Sequence, residues 1–288
     1  MGIRRITGRR LLGRRDFCVT LAAGAAAAAL PTRGSARPRA TLDLADKNDA
    51  LTALIKMRGD LEPVDVPFWY YGTIYAVLPG KTPFPLVDFE GSEIDYYERQ
   101  PDGSYFAYAA TASFFRDTRT GKLLDTFDNP VTGKRNEVRP NTISVDAHYV
   151  YTPQGFKRSD DPTPLAKSAS IVDLLHWRES GDDVWLTMRR AYPPGLPMAE
   201  HQLVRGSRTE LHDPSSTRVL TTAAPTYISP WLGWMDMRGH PGHTVWAGPA
   251  KKLARVEDYP RELLGLMEKH FPEKLTAKPA STHRTNGP

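Results

Sequence analysis

The chain has 288 residues, enough for one large all-β domain, and carries 38 basic and 33 acidic side chains for a formal net charge of +5. That excess belongs to one end. Nine arginines and a single acid, Asp16, fall in the first 40 residues, which leaves 29 basic and 32 acidic side chains in residues 41–288, a net of −3. A mildly acidic body without a Lys/Arg stripe argues against nucleic acid as a partner.

The basic end reads "GRRDFCVTLAAGAAAAALP". Arg14 and Arg15 are adjacent, Phe17 follows, and an Ala-rich run extends from Leu21 to Leu30. This resembles a twin-arginine export signal. The run is too short and too Ala-rich to span a bilayer, and "GSA" at 34–36 offers small residues for cleavage. The expected organisation is a signal peptide over 1–36, a linker over 37–44, one β-rich domain over 45–275 and a disordered tail over 276–288. The resemblance implies a periplasmic or otherwise exported protein, the translocation machinery as a transient partner, and no membrane span after cleavage. The single cysteine, Cys18, lies in the leader. The mature chain then has no disulfide, thiolate nucleophile or cysteine-ligated metal, and its core alone must hold the fold.

Along the body, "NDALTALIKMRGD" (48–60) predicts a short helix capped by Asn48, with Leu51, Leu54 and Ile55 on one face and Gly59 at its end. Strand signals follow. "FWYYGTIYAVLPG" (68–80) stops at Pro-Gly, and 85–99 and 104–117 flank the turn "QPDG". Residues 119–122 and 129–134 predict further turns. Strands are expected over 141–153, on both sides of Ser180-Gly181-Asp182, over 201–213 and over 216–230. "EDYPRELLGLMEKHF" (257–271) predicts a helix with Pro260 in its first turn and Leu263, Met267 and Phe271 on one face, packed on the sheet or plugging one end. The fold class is therefore mainly β: an antiparallel β-barrel or sandwich-like single domain with a short N-terminal and a C-terminal helix.

Four segments carry a family resemblance: "GTIYAVLPGK", "LVDFEGSE", "FFRDTRTGKLLDTFDNPVTGKRNEV" and "SPWLGWMDMRGHPGH". They are similar to a bacterial family catalogued as domain of unknown function 1838, over about residues 45–275. The resemblance implies one domain and implies neither a reaction nor catalytic residues.

No GxSxG elbow, GxGxxG loop, Walker-type loop or HExxH is present. The richest cluster of Trp, His and Asp is "WLGWMDMRGHPGH" (231–243). In a turn, Trp231, Trp234, Met235 and Met237 can line a pocket for an apolar or ring-shaped small-molecule ligand. Asp236 or His240 can then serve as general base, with His243 and Arg238 stabilising developing negative charge. His240 and His243, three apart across Pro241-Gly242, can instead ligate a metal with Asp236, His148 or His201 and activate a water. A simple turn with exposed ends satisfies the same sequence. No cofactor is specified. In "DNPVTGKRNE" (128–137) the Asx side chains favour turns, with Asp128, Asn129 and Glu137 at a barrel mouth as the alternative. In "DFEGSEID" (88–95) a strand puts Asp88, Glu90 and Ser92 on one face and Glu93 and Asp95 on the other. A solvated acidic face is the simpler reading, and a carboxylate pair for acid–base or Ca²⁺ chemistry the sharper one. The leading expectation is an exported protein that binds or transforms a small, largely apolar ligand in a Trp/Met-lined pocket. The alternatives are a His/Asp metal-dependent enzyme and a non-catalytic periplasmic binding or structural module.

Overall fold

The structure is a computed structural model that describes residues 41–138, 145–158, 176–191 and 198–277. The proposed signal peptide, half of the linker and most of the tail lie outside the described residues. Among the described residues, no helix is long and apolar enough to cross a membrane.

The chain enters through helix α1 (Lys47–Arg58). Its cap is Asp46, not Asn48: the Asp46 side chain accepts from the backbone N–H groups of Asn48 and Asp49, a contribution of about 1 kcal/mol. Gly59 ends the helix at φ −135°, outside the left-handed region. Glycine is needed there because a Cβ would strike the Tyr97 ring at 2.3 Å.

Three long strands follow: β1 (Asp65–Val77), β2 (Phe84–Arg99) and β3 (Tyr105–Arg116). A small hairpin, β4 (Thr126–Asp128) and β5 (Arg135–Glu137), stands apart from the main sheet. Next come β6 (Val145–Thr152), β7 (Gly155–Arg158), β8 (His176–Ser180), β9 (Asp183–Ala191) and β10 (Ala199–Ser207). Helix α2 (Arg208–His212) takes the second half of an expected strand, and β11 (Thr222–Ser229) fills only the end of the next. Strands β12 (His243–Ala247) and β13 (Ala250–Lys252) and helix α3 (Arg261–His270) complete the order.

Eleven strands form one antiparallel sheet in the order β7-β6-β3-β2-β1-β12-β11-β10-β9-β8, with β13 pairing β1 and β11. The sheet curls. Tyr151 and Phe156 near one end share a core with Val184, Leu186 and Met188 near the other, and α1 inserts Leu51, Leu54, Ile55 and Met57 between them. A second core gathers Ile74, Val87, Phe115, Phe127, Met235, Met237 and Trp246. On the outer face, α3 lays Leu263 and Met267 against Ala112 and Phe114. Each is completely buried, worth about 1.5–3 kcal/mol per side chain. Arg116 bridges Glu90 on β2 (2.8 Å) and Glu262 on α3 (3.0 Å), which fixes the helix over the sheet. Beyond the helix, Asp65 holds Thr276 and Ala277, the first two residues of the expected tail.

Two buried lysines seal helix ends. Lys252 Nζ donates to the carbonyls of Lys56 and Gly59 at the end of α1. Lys56 Nζ donates to the carbonyls of Leu211 (2.6 Å) and Asp213 (2.8 Å) at the end of α2. Cations at helix C-termini satisfy the orphan carbonyls and favour the macrodipole.

Where β1 changes partner from β12 to β13, Gly72 and Gly248 meet back to back. A Cβ on Gly248 would lie 2.0 Å from the Tyr71 carbonyl oxygen and 2.6 Å from Gly72 Cα. Gly265, on α3, faces open space. Denaturant unfolding should show that Gly248→Ala costs about 1–3 kcal/mol or more, whereas Gly265→Ala gains about 0.5–1 kcal/mol. Equal effects at the two positions would contradict the close approach.

Candidate functional site

Inside the curl, between the core around α1 and the core around Trp246, lies a cavity of about 370 Å³. This is within the range of small-molecule sites. It exists because β3 turns Ala107, Ala109, Thr111 and Ser113 inward, and these small side chains do not fill the space before them. The alternate residues Ala110, Ala112 and Phe114 face the outer cores, as the period of a strand requires. Aromatic rings form the walls: Phe68 and Tyr70 from β1, Phe89 from β2, Tyr149 and Tyr151 from β6, Phe156 from β7, Tyr227 from β11 and Trp246 from β12. Met188 and Met198 complete them.

One end is polar. Arg58, in the last turn of α1, reaches into the sheet. Its Nη2 lies 2.7 Å from Glu93 Oε1 and 3.2 Å from Asp95 Oδ2. Its Nη1 donates to Gln202 Oε1 at 3.2 Å, and the guanidinium stands 4.8 Å from the centre of the Phe68 ring. Tyr97 donates its hydroxyl proton to Asp95 Oδ2 at 3.3 Å. Gln202 Nε2 donates to Glu200 and lies 3.2 Å from the Tyr227 hydroxyl. The Tyr70 hydroxyl is 2.8 Å from Ser113 Oγ.

Burial disfavours the guanidinium charge, but the Asp95 and Glu93 carboxylates beside Arg58 outweigh it and hold the group protonated well above its ordinary value. Two carboxylates share that one cation. Burial first, then the neighbouring Glu93 charge, push the Asp95 carboxyl up to about 8, against the pull of Arg58. Asp95 therefore keeps its proton at neutral pH, chiefly because it is buried and secondly because of the Glu93 charge. Burial likewise pushes Lys252, which supports the end of α1, down to about 7.

The 231–243 segment lies elsewhere. Trp231, Trp234, Met235 and Met237 do not line the cavity; they pack into the second core as the filling of its end. Trp234 stands against Phe115 (5.5 Å) and Phe127 (5.4 Å). Asn129 Nδ2 donates to the Met235 carbonyl (2.9 Å), while its Oδ1 accepts from Val131 N (2.9 Å). That side chain both builds the "NPVTG" turn and ties it to the segment. Asp236 sits at the surface in the left-handed region, φ 49°. Its carboxylate is held 2.9 Å from Lys134 Nζ, and the Lys134 hydrogen bond and charge, with Arg238 behind them, lower its pKa. A surface carboxylate so held is a weak general base. Arg238 and His240 are exposed, and His243 opens β12 opposite Val77. His148 lies against Tyr108 (4.8 Å) and His201 is exposed on β10. Arg238 Nε lies 3.9 Å from Asp236, and none of Asp236, Arg238, His240 and His243 lines the cavity of about 370 Å³. Among the described residues, no group of three His, Cys, Asp or Glu side chains is placed to hold a metal ion.

The acidic strand reading fares differently. Glu93 and Asp95 do share a face, and that face is the cavity, not solvent. Arg58, Tyr97, Glu200 and Gln202 carried no motif. The cue to Arg58 was only its place beside an apolar helical stripe.

A shift of this sign links Asp95 to stability. Its carboxyl titrates near 3.9 when unfolded and at about 8 when folded. Its contribution is therefore complete below about pH 4 and is lost as pH rises to about 8. Urea midpoints of the wild type and Asp95→Asn across this window should show the wild-type advantage shrinking, by on the order of a few kcal/mol. A difference that is constant with pH would contradict the buried proton on Asp95.

Comparison with curated proteins returns no match. Among solved structures, "Crystal Structure of Rv2717c from M. tuberculosis" is similar at 13% identity over 72% of this chain and 98% of that one, with a TM-score of 0.22. The family described as "Protein of unknown function (DUF1838)" matches residues 64–152 and 198–287, which include β1 to β3 and most of the cavity wall. The chain belongs to the DUF1838 family.

Proposed function

We propose that this protein binds a small, largely apolar, ring-bearing ligand in the cavity inside its curled sheet. One observation carries the reading: a strand of small inward residues leaves about 370 Å³ among aromatic walls, with an organised polar cluster at one end. Apolar walls supply affinity, and a few fixed polar groups supply orientation. The Arg58–Glu93–Asp95–Gln202 set is held by its own bonds before any ligand arrives, which lowers the ordering cost of binding. The Arg14-Arg15 leader supports export by the twin-arginine route, which carries folded proteins. A ligand enclosed before export is compatible with that route.

Isothermal titration with 1-naphthylmethanol tests the reading. Saturable binding at one site is expected. Ala109→Phe, which places a ring in the cavity, should weaken it by about tenfold or more while thermal unfolding stays cooperative. Undiminished binding to a folded Ala109→Phe protein would remove the cavity as the site.

A further inference from the structure

We propose that the ligand is an organic cation, an apolar or aromatic amine whose charge is matched by the Glu93–Asp95 pair and whose rings lie on the aromatic walls. This rests on the cavity being the ligand site and names its chemistry. The charge balance of the polar end argues for it. Arg58 is the only basic side chain among the described residues that line the cavity, whereas Glu93, Asp95 and Glu200 all line it. Arg58 is already engaged, through Nη2 to both carboxylates and through Nη1 to Gln202. An anionic ligand would have to displace those partners and then lie beside them. A cation meets the opposite situation: two carboxyls within 3.2 Å of one guanidinium hold one negative charge more than that guanidinium balances once both are ionised. The proton on Asp95 keeps that charge masked, and an incoming cation can take the proton's place.

The walls supply an independent argument. A cation is attracted to the face of a Trp, Tyr or Phe ring within about 6 Å, most strongly where water is excluded. The cavity already shows this contact once, with the Arg58 guanidinium 4.8 Å from the Phe68 ring centre. Tyr149, Tyr151, Phe156, Tyr227 and Trp246 offer further aromatic surface around the same space. Carboxylates at one end and ring faces along the sides are the two elements by which proteins hold an organic ammonium group.

Three probes of one shape separate the possibilities by isothermal titration of the full chain at pH 7: 1-naphthylmethylamine, 1-naphthylmethanol and 1-naphthoate. The amine should bind about tenfold or more tightly than the alcohol, with the naphthoate weakest. Glu93→Gln keeps the shape and leaves Arg58 its Asp95 partner. It should cut the amine's advantage over the alcohol to about threefold or less. Asp95→Asn is the second variant, should Glu93→Gln fail to fold, and should act in the same direction. Naphthoate binding as tightly as the amine, or an amine preference that survives both substitutions, overturns the inference. Alcohol binding with no preference for the amine overturns the cation alone and leaves the ligand site standing. Failure of all three probes overturns the ligand site and the cation with it.

Discussion

The structure turns on one buried cation. Arg58 is at the end of α1, and its guanidinium is enclosed by β1, β2 and β10. A charge removed from water is tolerated only when paired and hydrogen-bonded. Two strands, β2 and β10, must therefore bring Glu93, Asp95 and Gln202 to the same point. This requirement fixes the rotation of α1 and, through it, the Leu51, Leu54 and Ile55 face that packs the first core. Lys252 holds the same turn from β13 by its bonds to the Lys56 and Gly59 carbonyls. The helix, the curl of the sheet and the polar end of the cavity are thus set together.

Two packed regions flank the cavity. Helix α1 occupies one side, and the 231–243 segment, bound to the 129–134 turn through Asn129, occupies the other. Within the "FFRDTRTGKLLDTFDNPVTGKRNEV" segment of the family resemblance, Asp117 and Asn129 serve turn chemistry. Asp117 Oδ1 accepts from Thr120 N at 2.7 Å, and Asn129 Oδ1 accepts from Val131 N at 2.9 Å. These residues build turns and do not line the cavity.

Much of the fold was legible in the sequence because turns and periodicity are local. Strands β2 and β3 and helix α3 follow from Gly103, Pro260 and the spacing of Leu263 and Met267. Helix α2 interrupts an expected strand, yet Ser207 and Glu210 carry the Ser-x-x-Glu signature, and Ser207 does accept from Glu210 N. The site was far less legible. Trp231, Trp234, Met235 and Met237 have the composition of a pocket, but composition does not distinguish a lined void from a filled one. Alternation put Glu93 and Asp95 on one face; nothing local in the sequence showed that this face was inward. Arg58 reads as an ordinary basic residue in a last helical turn, and its partners lie 35, 37 and 144 positions away.

The account places ligand binding inside the curl and gives the 231–243 segment a packing role. Methionine methyl resonances report both places in one protein. Met188 and Met198 line the cavity, and Met235 and Met237 belong to the filled end. In a ¹³C-methyl-methionine spectrum titrated with 1-naphthylmethanol, the account predicts that Met188 and Met198 shift with one common affinity while Met235 and Met237 stay in place. Shifts confined to Met235 and Met237, with Met188 and Met198 unmoved, would contradict it and return the site to the tryptophan segment.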